Sequence, residues 1–270
     1  MAKSKKLDSD NSSLQVKDQV AASFGSKARA YNMYAHVQRQ AAQRFAELAE
    51  EFTDSLQSPY LEIGCGTGFV TQPMVSLLPG GEFTAADLSV EMLQACQADL
   101  NIPERLQVHF SNIDGENQLP DDTYGLIFTA LTAQWFADTE AVLNQYLRAL
   151  KPAGMLMYSY LDERCFPEWK ALCAETGIPF TGNTLPPCAP IPLDPSLYSW
   201  EFFSMELFTE VFDSPADFFR NLKRIGAGTQ RSGQRNSPGS VLQLDEHWKQ
   251  KNRKSFHVTY GITFGGIRKK

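Results

Sequence analysis

The chain has 270 residues, 43% of them hydrophobic, which is enough for one large domain or two small ones with a substantial buried core. Its formal charge of −6 argues against general nucleic-acid binding, no apolar run approaches the roughly 18 residues of a membrane-spanning helix, and the opening MAKSKKLDSDNSS lacks the apolar stretch of a secretory signal. Five cysteines without a C-x-x-C pair and four scattered histidines speak against a disulfide framework and a metal site, so a cytoplasmic, monomeric protein without nucleic-acid or membrane partners is expected.

Residues 1–13 are polar and expected to be a disordered tail, with a single domain over 14–270. Helical patterning runs from Leu14 to about Phe24 and from His36 to about Phe52, giving N-terminal helices over 14–58. A strand-helix alternation follows over 59–161. The strands are YLEIG, EFTAAD, LQVHF, YGLIFTA and GMLMYSYL, and helices start near Phe69, Ser89 and Asp138. Ser89 can cap the helix VEMLQACQADL, and LKPAG stops the helix before the fifth strand. This alternation predicts an α/β protein with a parallel sheet and helices on both faces.

Beyond the fifth strand, residues 162–226 read as a lid or substrate region. Pro167 starts a short helix that ends near Gly177, and the prolines of GIPFTGNTLPPCAPIPLDP preclude regular structure. The extended aromatic run LYSWEFFSMELFTEVF comes next, then a helix capped by Ser214, started by Pro215 and stopped at Gly226. Residues 227–270 read as a basic loop and a terminal strand, FHVTYGITFGGI.

LEIGCGTGFV places Gly64, Gly66 and Gly68 directly after the first strand. A glycine-rich turn between strand and helix lets the backbone approach a ligand closely. A dinucleotide fold has G-x-G-x-x-G, whereas Phe69 stands where that third glycine belongs. Glu62, two residues before the first glycine, is unwelcoming to a pyrophosphate and favourable to a cation. Asp87 ends the second strand about 20 residues further on, where a carboxylate can accept both ribose hydroxyls of either kind of nucleoside cofactor.

The pattern E-x-G-x-G-x-G resembles motif I of the class I S-adenosylmethionine methyltransferases. That resemblance implies a Rossmann-like fold with a seven-stranded, mostly parallel sheet, N-terminal helices and a lid after strand five. It also implies S-adenosyl-L-methionine as cofactor, with Glu62, Gly64, Gly66, Gly68 and Asp87 around it. An acidic side chain in NIDGEN would bond the adenine amino group: Asp114, with Asn112 as the neighbouring alternative.

From Val16 to the C-terminus, four segments are similar to the malonyl-[acyl-carrier protein] O-methyltransferase family: VAASFGSKARAYNMYAHVQRQAA, LTAQWFAD, NLKRIGAG and VTYGITFGGI. Two positions depart from that family: Gly125 replaces a common Asp, and LDERCFPEW lacks a glycine usual after strand five. The resemblance implies methyl transfer to the free carboxylate of malonyl on acyl-carrier protein, an early step of biotin synthesis. A carboxylate is already ionised at neutral pH, so the site needs no base, only alignment, donors for the carboxylate and exclusion of water. Tyr31, Gln134 and Trp135 are the candidate catalytic residues, and Arg164 or Arg224 the candidate carboxylate clamp.

Charge is unevenly spread. From Arg220 onward twelve basic residues stand against two acidic ones, a net +10, and the preceding chain carries −16. Lys223, Arg231 and Arg235 are the candidate contacts for the acidic acyl-carrier protein. Three other readings compete: a methyltransferase for another small acid or nucleophile, a noncatalytic binding protein on the same fold, and a nicotinamide dehydrogenase. The glycine spacing and the lack of a Tyr-x-x-x-Lys pair weigh against the last.

Overall fold

A computed structural model describes residues 17–228, 237–251 and 253–270. The chain divides into two compact units: the described parts of Met1–Tyr34, Phe166–Thr184 and Val211–Val258 form one, and Ala35–Cys165, Leu185–Glu210 and Thr259–Lys270 the other.

The larger unit is built on a seven-stranded sheet: β1 (Tyr60–Ile63), β2 (Gly81–Asp87), β3 (Leu106–Asn112), β4 (Tyr124–Ala130), β5 (Leu150–Leu161), β6 (Tyr198–Phe212) and β7 (Phe256–Lys269) in the order β3-β2-β1-β4-β5-β7-β6. The pairs β1–β2, β1–β4, β2–β3 and β4–β5 are parallel, and β5–β7 is antiparallel with Leu156 opposite Ile267. This is the mostly parallel, Rossmann-like sheet that the strand-helix alternation implies. All four β1 residues are buried, as a central strand covered on both faces requires.

One face carries Leu61, Ile63, Ile127, Leu156, Tyr158 and Tyr160, packed with Leu143 and Tyr146 of α6 (Thr139–Ala149) and with Ile191 of the proline-rich segment. Phe83 and Phe128 stack at 5.8 Å, and Phe45 of α3 (His36–Glu50) joins them at 6.3 Å from Phe128. Each such buried large side chain contributes about 1.5–3 kcal/mol. Two more helices belong here, α4 (Thr71–Leu77) and α5 (Val90–Asp99). Ser89 caps α5 by accepting Met92 N–H, and Asp138 caps α6 by accepting Ala141 N–H at 3.0 Å.

Gly125 has a packing reason. A Cβ there would lie 2.0 Å from the Gln57 carbonyl oxygen, and its N–H donates to the Pro59 carbonyl at 3.0 Å. An aspartate cannot fit against that backbone, so the departure from the family pattern is a matter of folding.

The smaller unit holds α1 (residues 17–25), α2 (Ala28–Tyr34), α7 (Pro167–Thr176), α8 (Pro215–Arg224) and α9 (Pro238–Gln250). Its core is aromatic: the Trp169 ring lies 4.5 Å from Phe180, 5.0 Å from Phe219 and 5.8 Å from Phe218. Asp245 ties α9 to α8 by accepting Ala216 N–H at 3.1 Å, and Glu175 of α7 meets His247 at 3.1 Å. Where a basic loop was expected, α9 supplies thirteen helical residues, capped by Ser237 and begun by Pro238. Neither α2 nor the break before it is evident in the sequence, because α2 buries no residue and so shows no apolar stripe. Among the described residues no helix is long and apolar enough to cross a membrane.

Candidate active site

The candidate residues of the larger unit gather at the carboxyl ends of the parallel strands, around the point where β1 pairs with both β2 and β4. Open α/β sheets bind ligands at such a switch point, because the connections there leave toward opposite faces. After β1 the chain turns through Gly64, Gly66 and Gly68, with φ of 77°, 54° and 93°. These left-handed values favour glycine. The loop is pinned: Gly64 and Cys65 N–H groups share the Ala86 carbonyl at 2.8 and 3.0 Å, and Gly68 N–H closes on the Cys65 carbonyl at 2.9 Å.

The glycines are not equivalent. A Cβ on Gly64 would lie 2.1 Å from the Thr132 hydroxyl oxygen, whereas one on Gly66 meets nothing within 4 Å. Gly64 is small for its neighbour; Gly66 faces open space.

Asp87 closes the other side. Its Oδ2 accepts Gly66 N–H at 2.9 Å and its Oδ1 accepts Ser89 N–H at 2.8 Å. Burial pushes this carboxyl up, and hydrogen bonds from the Ser89, Gly66 and Leu88 backbones oppose the rise. Three backbone donors leave the carboxylate one further acceptor site for a hydroxyl donor. Asn112, opposite Asp87 in the β2–β3 register, donates its side-chain amide to the Asp87 carbonyl at 3.0 Å and the Leu88 carbonyl at 2.8 Å. It therefore staples the turn after β2. Half-buried Asp114 accepts Glu116 N–H at 3.0 Å in the turn after β3.

Glu62 is 1% exposed, and its Oε2 has no hydrogen-bond partner. Desolvation holds this carboxyl well above the usual carboxylate range; nearby Cys96 adds to the rise and a hydrogen bond with Thr71 opposes it. The Thr67 hydroxyl is likewise buried without a partner.

The end of β4 makes a third wall. Leu131 is held at φ 50°, a left-handed conformation that costs a bulky residue about 1–2 kcal/mol. Its N–H donates to the Ser159 carbonyl at 2.9 Å. Thr132, unmarked in the sequence, donates its hydroxyl to the Gly64 carbonyl at 3.3 Å and so couples this turn to the glycine loop. Gln134 is 8% exposed, and its amide braces two strands by donating to the Leu131 carbonyl at 2.5 Å and accepting Leu161 N–H at 3.3 Å. Trp135 is half-buried beside it.

After β5, fully buried Asp162 grips Arg164. Its Oδ1 accepts Nε–H at 2.9 Å, its Oδ2 accepts an NH2 proton at 2.6 Å, and Thr263 donates to Oδ2 at 2.9 Å. Most of the Arg164 charge is thus balanced inside the protein. The remaining candidates lie in the smaller unit. Tyr31 of α2 packs edge-on against Phe24 at 6.0 Å. Arg224, at the end of α8, stands 4.8 Å over the Tyr34 ring, and Lys223 is exposed. Among the described residues Arg224 makes no ion pair. Arg231 and Arg235 lie outside the described residues.

The residues present suit S-adenosylmethionine better than a dinucleotide. A ribose diol can donate to Asp87, the open space at Gly66 admits a ligand against bare backbone, and the unpartnered Glu62 oxygen is an acceptor that an ammonium donor can satisfy and a pyrophosphate oxygen cannot. Fold and site together define a class I methyltransferase that uses S-adenosyl-L-methionine. Residues 61–156 match the family model for a methyltransferase domain. Over 251 residues the chain is 33% identical to the biotin biosynthesis bifunctional protein BioCD of Bordetella avium, covering 93% of this chain and 52% of that one, about half its length. It is 30% identical over 248 residues to the malonyl-[acyl-carrier protein] O-methyltransferase of Magnetococcus marinus, covering 91% of this chain and 90% of that one. A solved structure from Bacillus halodurans, described as a methyltransferase, shares the fold with a TM-score of 0.52 at 13% identity, over 85% of this chain and 98% of that one. The chain belongs to the malonyl-[acyl-carrier protein] O-methyltransferase family.

Proposed function

We propose that the chain methylates the free carboxylate of malonyl-[acyl-carrier protein], giving the methyl ester. The observation that carries this reading is the reach of the similarity to the Magnetococcus marinus enzyme: 248 residues, and so the substrate-side segments as well as the cofactor loop. S-adenosylmethionine supplies an electrophilic methyl group. Around it, Glu62 and the loop backbone hold the amino-acid part, Asp87 the ribose, and Asp114 the adenine edge. The substrate carboxylate is ionised at neutral pH and needs no base, so the protein's task is alignment and drying of the site. Gln134 serves by fixing the Leu131 turn against β5, with Trp135 as a wall and Tyr31 as a closing donor. For the carboxylate clamp, Arg224 is favoured over Arg164, because Asp162 already balances Arg164.

The charge distribution supports a carrier protein as partner. Among the described residues the smaller unit has eleven Lys and Arg against seven acidic residues, a net +4, and the larger has nine against twenty-two, a net −13. Lys223 falls in the basic unit, which would attract an acidic partner that the rest of the chain repels, and Arg231 and Arg235 follow it in the same basic stretch of sequence. Kinetics on malonyl-carrier protein against free malonate test this. The reading requires a much higher kcat/KM for the carrier-linked substrate, and equal values would return the chain to methyltransferases of small acids.

A further inference from the structure

Phe69 is a residue of the glycine loop that the cofactor site leaves unexplained. It stands where a dinucleotide fold has its third glycine, half-buried between buried Gly68 and Val70. The Arg39 guanidinium lies 4.6 Å from the centre of its ring, a cation–π contact. Arg39 itself is exposed on the first turn of α3, and buried Val37 and Ala41 on either side of it fix that turn within the larger unit. A guanidinium is thus held against the residue that follows the last loop glycine.

The ligands proposed for this site call for such a cation. S-adenosylmethionine carries a carboxylate beside its ammonium group, and malonyl carries another. Glycine-rich turns commonly hold anions with their N–H groups, but here those of Gly64, Cys65, Gly66 and Gly68 are already bonded to Ala86, Asp87 and Cys65. An anion at this loop therefore needs a side-chain donor. The candidate side chains nearest to it in the sequence pattern, Glu62, Asp87 and Asp114, are all acidic. Among the described residues of the larger unit the other eight basic side chains are engaged: Arg44, Arg164, Arg268 and Lys269 in ion pairs with Glu206, Asp162, Glu201 and Asp122, and Arg105, Arg148, Lys151 and Lys270 on backbone carbonyls. Arg39 is the basic side chain set against the loop.

We propose that Arg39, seated on Phe69, binds a carboxylate beside the glycine loop, that of S-adenosylmethionine or that of malonyl. A guanidinium meets a ring with its flat face and a carboxylate with the N–H groups on its edge, so Phe69 can hold the group without using those donors. A glycine at this position would offer no seat. The departure from the dinucleotide pattern thereby gains a function.

The proposal rests on the assignment of the loop to S-adenosylmethionine and of the acceptor to malonyl-carrier protein, and each ligand is tested beside a form that lacks the carboxylate. Parent, Arg39→Ala, Arg39→Lys and Phe69→Leu proteins are titrated by calorimetry with S-adenosylmethionine and decarboxylated S-adenosylmethionine, and separately with malonyl- and acetyl-carrier protein. If the cofactor's carboxylate is the ligand, Arg39→Ala binds S-adenosylmethionine about tenfold or more weakly, as loss of a hydrogen bond to a charged group costs, and binds the decarboxylated form as tightly as the parent does. If malonyl is the ligand, the same selective loss falls on malonyl-carrier protein and spares acetyl-carrier protein, and Arg39 takes the clamp's part from Arg224. In either case Arg39→Lys should keep part of the affinity and Phe69→Leu should lose part of it. Unchanged affinities in Arg39→Ala, an equal loss for a ligand and its form without the carboxylate, or a Phe69→Leu protein that matches the parent would overturn the proposal. A parent that binds neither cofactor nor carrier would overturn the site reading with it, whereas a binding parent beside an indifferent Arg39→Ala leaves that reading standing.

Discussion

The carboxylate of Asp87 accepts the main-chain N–H of Gly66 at 2.9 Å, joining the turn after β2 to the glycine loop across 21 residues of sequence. One side chain thus orders the loop and, in the function proposed, accepts a hydrogen bond from the ribose. Asp87→Ala removes both actions. S-adenosylmethionine binding should weaken by about 1.5–3 kcal/mol, the range for hydrogen bonds to a charged group. Calorimetric titration measures this, and an unchanged dissociation constant would contradict the ribose assignment.

Gly64 and Gly66 should fail differently when replaced by alanine. At Gly64 the methyl group meets the Thr132 hydroxyl at 2.1 Å, so the Gly64→Ala protein should melt well below the parent even without ligand. At Gly66 the methyl group enters open space, leaving chiefly the left-handed strain of about 1–2 kcal/mol. Its main effect should be lost cofactor affinity. Paired melting and binding measurements check the contrast, and a Gly66→Ala protein with normal affinity would show that the cofactor does not pass that backbone.

Much of this was legible beforehand, for physical reasons. Five strands separated by cappable helices and a proline-rich break specify a parallel sheet followed by an irregular segment, and the β1 to β5 pairings have that form. The signal for α9 was present too: Ser237–Pro238 repeats the Ser214–Pro215 start of α8, but Gly239 and the dense basic residues masked the apolar positions. Thr132 could not have been found. Its partner Gly64 is 68 residues away, and only the adjacency of β1 and β4 brings them together. The Asn112 staple was hidden for the same reason, since a parallel sheet makes its important contacts between segments distant in sequence.

Glu62 should make stability depend on pH. Its folded carboxyl titrates well above the ordinary value of 4.5, so the native state holds a proton that the unfolded chain releases. The stabilisation is fully present below about pH 4.5 and is lost as the pH rises through the higher folded value. Glu62→Gln keeps a neutral side chain and should flatten this part of the melting-temperature profile. Parallel profiles for the two proteins would mean that Glu62 is ionised in the folded, ligand-free state.

Reversing charge in the basic unit should act on the carrier protein alone. Combining Lys223→Glu, Arg231→Glu and Arg235→Glu is expected to raise KM for malonyl-carrier protein, with a penalty that shrinks as salt shortens the Debye length to about 10 Å at 0.1 M. Cofactor affinity should be unchanged. Steady-state kinetics at two salt concentrations are sufficient, and indifference to both charge and salt would reduce these side chains to solvated surface.

The most direct measurement is the intact mass of malonyl-carrier protein after incubation with the purified chain and S-adenosylmethionine carrying a deuterated methyl group. Carboxyl methylation predicts one added deuterated methyl group per carrier protein, located on the malonyl group by fragmentation, removed by mild alkaline hydrolysis, and much diminished with the Asp87→Ala variant. A protein that binds the cofactor yet leaves malonyl-carrier protein at its starting mass, or that places the label on carbon, would contradict the account.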